Sequence, residues 1–237
     1  MGKFASKVMI PERVELYQYK YWEPFIFAIC YETIYQLAAE GFDCSKALLK
    51  RNVRGITGRT HVKVNESIDF CIEQGFLYED KEGHIKYSYD TISKTGYVKV
   101  DSSILNWFVD NSPNDSMSFR LYVRLLHIYQ YNKAQNRIWE LRIGGQSKMS
   151  LLSQTGYYPI AAKNRNKATE IIQKFQDAGF VRVSDPHLKY SEMGNYCGKT
   201  RTLWEVKDSI EYDSNKDGQE GTEESYVQSD TLDKSEI

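Results

Sequence analysis

The chain has 237 residues, 41% apolar and 14% aromatic with 18 tyrosines, enough for two small cores or one larger one. No run approaches the roughly 18 apolar residues of a membrane-spanning helix, and the first residues lack a basic start leading into an apolar segment, which argues against secretion and for a cytoplasmic protein. The net charge of −1 hides a split: residues 208–237 hold ten acids against Lys216 and Lys234, a net of −8, leaving +7 on residues 1–207. That asymmetry suggests a polyanion-binding body followed by a separate acidic tail.

In chain order, "KVMIPERVEL" (7–16) reads as a strand leading to a short helix. "PFIFAICYETIYQLAAEG" (24–41) has proline at a helix start and glycine at its end. "CSKALLKRN" (44–52) is a short helix, and 58–75 is a third, with Val64, Ile68, Cys71 and Ile72 turned inward. "FLYEDKEGHIKYSY" (76–89) predicts a hairpin turning at Lys81-Glu82-Gly83.

The second half offers the same order. "YVKVDSSIL" (97–105) again reads as a strand and short helix, and 118–132 is a longer helix with Ser118 as N-cap. A strand candidate at 137–143 and a short helix at 147–156, capped by Ser147, lead to "AAKNRNKATEIIQKFQDAGFVRV" (161–183). There Ala168, Ile171, Ile172 and Phe175 recur at helical spacing before Gly179 stops the helix and a strand begins. Residues 202–206 supply its partner strand, and 185–201 reads as a long intervening loop bearing Lys189, Lys199 and Arg201. Setting Gly75 on Gly179, an offset of 104, places Phe76 on Phe180, Ile68 on Ile172, Cys71 on Phe175 and Lys63 on Lys167.

Three helices and a strand pair, found twice, predict an α+β, mainly α fold: two tandem winged helix-turn-helix domains, residues 1–93 and 97–207. The remainder, 208–237, has too few large apolar residues to offset its ordering entropy and is expected to be a disordered acidic tail.

Acids are absent where these units would dock. Between Cys44 and Asn65 there is no Asp or Glu, against Lys46, Lys50, Arg51, Arg54, Arg59 and Lys63. Between Leu141 and Thr169 there is again none, against Arg142, Lys148, Lys163, Arg165 and Lys167. Phosphates call for cations at a docking surface, while Arg suits guanine edges and Asn or Gln adenine. The helix front at Lys163, Asn164, Arg165, Asn166 and Lys167 fits a major groove. Asn164, Arg165 and Asn166 are candidates for base reading. Lys148, Lys163, Lys167, Arg59 and Lys63 are candidates for phosphate, with Thr60 and His61 at the matching front of the first unit and Lys199 and Arg201 on the second wing.

Enzyme signatures are missing. "GGQSKMS" (144–150) has no glycine before Lys148, and there is no G-x-G-x-x-G, G-x-S-x-G or His-x-His. Cys30, Cys44, Cys71 and Cys197 are far apart, and His61, His84, His127 and His187 form no cluster with them, so packed, reduced thiols are expected rather than a zinc site or other cofactor. The start "MGKFAS" matches an N-myristoylation pattern short enough to arise by chance.

With "YVKVDSSIL", "MSFRLYVRLLHIYQYN" and "KMSLLSQTGYYPIAAKNRNKATEIIQKFQDAGFV", the chain resembles the tandem winged-helix replication initiators of bacterial plasmids and the related phage initiators and replisome organisers. The likeness covers residues 97–183 and, at the level of fold, 7–89. It implies a non-enzymatic protein whose two units grip origin repeats in double-stranded DNA, with host replication proteins as partners and a homodimer as one form. Two other readings stay open: a transcriptional regulator on an operator, and a winged-helix adaptor that docks a replisome protein.

Overall fold

The computed structural model describes residues 7–12, 15–16, 19–134, 165–184, 188–190, 193, 196–199 and 203–211. These form a mainly helical α+β structure with small two-stranded sheets. The expected strand at 137–143, the helix at 147–156 and the acidic tail beyond Glu211 lie outside the described residues.

β1 (Lys7–Pro11) opens the chain, and α1 (Pro24–Ala39) starts on Pro24. Residues 24–30 of α1 are buried all round, because β1 and the helices that follow at 46–57, 61–73 and 116–134 pack around it. α2 (Lys46–Thr57) is capped by Ser45, whose hydroxyl accepts from the Leu48 N–H at 3.2 Å. It runs past the expected end at residue 52. Leu49, Val53 and Thr57 continue one buried stripe, which outweighs the roughly 1 kcal/mol cost of Gly55 in a helix, and the stop comes at Gly58, with φ +60°. α3 (His61–Glu73) is capped by Thr60, and β2 (Leu77–Glu79) pairs antiparallel with β3 (Ile85–Tyr87) as the predicted hairpin.

A short α4 (Tyr89–Thr95) leads into β4 (Tyr97–Asp101), α5 (Ser102–Asn111) and α6 (Ser116–Ala134). The cap of α6 differs from expectation. Asp115 Oδ1 accepts from the backbone N–H groups of Met117 and Ser118 at 3.1 and 3.2 Å, so the helix begins earlier and Ser118 lies inside it. A carboxylate there also suits the positive end of the helix dipole.

α7 (Arg165–Asp177) is followed by β5 (Val181–Ser184), β6 (Leu188–Tyr190), β7 (Tyr196–Lys199) and β8 (Leu203–Val206). β5 pairs with β8 as expected, Val181 opposite Val206. The stretch 185–201 is not one long loop: β6 and β7 form a second hairpin within it, Leu188 opposite Lys199, with a bulge at Lys189/Tyr190.

The strands that open the two halves pair with each other. β1 and β4 run antiparallel, with Val8 opposite Val100 and Ile10 opposite Val98, all four buried. One continuous apolar core joins both halves. Phe25 of α1 meets Phe119 of α6 at 5.1 Å and Phe108 of α5 at 6.4 Å, while Phe27 faces back to Phe76 and Tyr87. An ion pair between Arg124 of α6 and Glu12, both side chains about 1% exposed, ties the end of β1 to the second half. Among the described residues, no helix is long and apolar enough to cross a membrane.

Candidate nucleic-acid interface

The offset of 104 carries over from the sequence into the backbone. α3 spans His61–Glu73 and α7 spans Arg165–Asp177, so each boundary recurs 104 residues on. Gly75 (φ +71°) and Gly179 (φ +76°) end them in the left-handed conformation. The next residue returns to the helix both times: Phe76 N–H donates to Cys71 O at 2.9 Å, and Phe180 N–H to Phe175 O at 3.2 Å. Neither helix has an acid in its first turn.

In the first half the front of α3 is on the surface. The Thr60 hydroxyl accepts from the Lys63 N–H at 3.3 Å, which leaves it exposed at the helix end. His61 and Val62 are exposed, and the Asn65 carboxamide nitrogen lies 3.2 Å from His61 Nδ1, so these two polar side chains share one edge of the helix. Arg59 is half-buried in the turn before them, its N–H donating to Thr57 Oγ1 at 3.4 Å.

That turn is held from the other half. The Asn114 carboxamide, with its nitrogen toward them, meets the carbonyls of Thr57 and Gly58 at 3.0 and 3.3 Å. These belong to the last carbonyls of α2, which a helix cannot satisfy by itself.

The cations of the first half divide into committed and free. Lys46 and Lys50 lie 2.9 and 3.6 Å from Asp69, on α3. Partial desolvation works to raise the Asp69 carboxyl, yet the two ammoniums hold it below the usual carboxylate value. Lys63 lies 3.8 Å from the buried carboxylate of Glu23 and donates to the Lys20 carbonyl at 3.4 Å. Arg51 and Arg54 are exposed on α2, and among the described residues neither has an ion pair.

In the second half, Arg165, Asn166 and Lys167 form the first turn of α7, the counterpart of His61, Val62 and Lys63. In the sequence the same offset sets Lys163 and Asn164 against Arg59 and Thr60, and Lys148, Lys163, Asn164 and Arg201 lie outside the described residues. Lys199 ends β7, its backbone opposite Leu188.

The acid-free windows did not reveal Asp69, Glu23 or Asn114. Each comes from another segment, and no local spacing signals a partner about 20 to 60 residues away. Cys30, Cys44 and Cys71 are free, buried thiols; burial pushes Cys44 up to about 11, and Cys30 and Cys71 upward as well. Among the described residues no three His, Cys, Asp or Glu side chains gather to hold a metal ion. The chain matches no protein-family model, no curated protein and no solved structure.

Proposed function

We propose that the chain is a sequence-specific double-stranded DNA-binding protein of two tandem winged helix-turn-helix units, acting as a plasmid or phage replication initiator on origin repeats. One observation carries this reading: a helix with an acid-free first turn, a glycine stop, a buried Phe and a strand recur at a fixed offset of 104 residues. In this reading α3 and α7 enter major grooves, and the β2–β3 and β5–β8 pairs are the wings.

Arg165, Asn164 and Asn166 read base edges from the second unit, while Lys163, Lys167 and Lys148 hold phosphates and Lys199 and Arg201 serve the wing. In the first unit Arg59, Thr60 and His61 stand at the front, and the exposed Val62 suits a thymine methyl group. Two linked units grip more tightly than either alone, since the second contact is intramolecular. No catalytic step or cofactor is part of the reading; its partners are DNA, host replication proteins and, in one form, a second copy.

The test is duplex binding by the full chain over a salt series, with the Arg165→Ala/Lys167→Ala variant beside the wild type. The expected result is an unchanged thermal transition, lost binding, and a wild-type affinity that falls steeply with salt. Equal affinity of the two proteins would overturn the assignment of the α7 front.

A protein-docking role for the first half is favoured by a groove of about 450 Å³ between α1 and α2, lined by Gln36, Leu37, Arg51, Asn52 and Ile56 among others. Tyr35, half exposed, stands on the same helix.

A further inference from the structure

We propose that the turn Tyr19-Lys20-Tyr21, ahead of α1, is a further contact of the first half with the phosphate backbone of duplex DNA, beside the front of α3. The proposal rests on the DNA-binding reading above and adds residues to its site.

Lys63, in the first turn of α3, donates to the carbonyl of Lys20 at 3.4 Å, so the turn and the helix front share one edge of the molecule. The turn is closed by Trp22 N–H donating to Tyr19 O at 3.3 Å, after Tyr19 N–H has donated to Leu16 O at 3.1 Å. Its two ends are pinned to α3. The Tyr19 ring lies 5.2 Å from the Phe70 ring, and the fully buried Trp22 lies 6.3 Å from it on the other side of the turn. A turn anchored this way presents its tip without a large ordering cost on binding.

The chemistry of the tip suits phosphate. Lys20 is exposed, and Tyr19 and Tyr21 are 47% and 38% exposed despite their anchored neighbours. The Lys20 ammonium sits 5.4 Å from the centroid of the Tyr21 ring. The carboxylate that follows, Glu23, is 4% exposed and faces Lys63, which removes it from the surface. A cation and phenolic hydroxyls can all donate to phosphate oxygens, and the ring bodies can pack on sugars. Lys63 then serves as the strut that seats the turn, and Lys20 takes the phosphate contact that spacing alone assigns to Lys63.

The experiment is fluorescence anisotropy of the full chain on a labelled random-sequence duplex across a potassium chloride series. Lys20→Ala is expected to lower the slope of log affinity against log salt by about 0.9, the value of one phosphate contact, and Lys20→Arg to restore it. Tyr21→Phe is expected to weaken binding by about three- to tenfold with the slope kept, because a neutral hydrogen bond is lost. Lys63 is held by the Lys20 backbone oxygen, which the substitution keeps, and the Lys20 ammonium meets only the Tyr21 ring of the same turn among the described contacts, so the thermal transition of Lys20→Ala serves as the folding control. A steep wild-type slope that Lys20→Ala leaves unchanged would overturn this contact and spare the DNA-binding reading. Absence of salt-dependent duplex binding by the wild type, or binding to single strands only, would bring down both.

Discussion

Phe76 and Phe180 are structural counterparts 104 residues apart: each is fully buried and follows a left-handed glycine, and each donates its N–H to the helix that precedes it. Phe76 packs against Trp22 and Phe27, and Phe180 against Trp107, Phe108, Tyr122 and Phe175. Replacing either by Ala removes a large ring from a core that cannot fully collapse, so each variant is expected to lose about 3–5 kcal/mol. Urea denaturation of the two variants checks this. Because one core joins both halves, both should unfold in a single transition rather than one half at a time.

The glycines that precede and punctuate these helices separate conformational from steric cost. At Gly179 a Cβ would meet nothing within 4 Å, so Gly179→Ala carries only the left-handed penalty of about 1 kcal/mol. At Gly58 a Cβ would lie 3.0 Å from the Asn114 carboxamide, so Gly58→Ala is expected to cost more and to disturb the contact that closes α2. Denaturation midpoints of the two variants, measured side by side, decide the order.

Arg124 and Glu12 pair at the seam between the halves with side chains about 1% exposed, and His127 Nδ1 lies 3.2 Å from the same carboxylate. Removing one partner of a buried pair costs about 3–5 kcal/mol, so Arg124→Met and Glu12→Gln should each be strongly destabilised. The double variant should lose less than the sum of the two, which a double-mutant cycle reads directly.

Acid should loosen the hairpin of the first half. A hydrogen bond from Lys86 holds the Asp43 carboxyl below its ordinary value, and the backbone N–H of His84 does the same for Asp80. A carboxyl with a depressed folded value binds fewer protons folded than unfolded. Its contribution is therefore complete above the unfolded value of about 3.9 and is lost as pH falls through the lowered one. Asp43→Asn and Asp80→Asn should flatten the acid limb of a plot of melting temperature against pH below about 4 while leaving its shape near neutrality.

The sequence announced what periodicity and glycine punctuation encode. Ile68, Cys71, Ile172 and Phe175 are buried where helical spacing puts them, and the hairpin after Gly75 turns at Lys81-Glu82-Gly83. It was silent where a distant group decides the outcome. α2 outlasts Asn52 because Val53 and Thr57 find a core formed by other helices. β6 and β7 pair through backbone groups that no side-chain pattern advertises. Lys46, Lys50 and Lys63 look like a free cationic face in the sequence, yet Asp69 and Glu23 reach them from elsewhere in the fold. Charge windows count available cations poorly, because neutralisation is a property of the packed structure.

The most direct test of the central claim is a nuclease footprint of the purified full chain, at low salt, on the DNA that flanks its own coding sequence. Protection of several direct repeats beside an AT-rich stretch, lost as salt is raised, is the expected result. Protection of one inverted repeat over a promoter would contradict the initiator role and make the protein a regulator. No protection even at low salt would contradict DNA binding altogether.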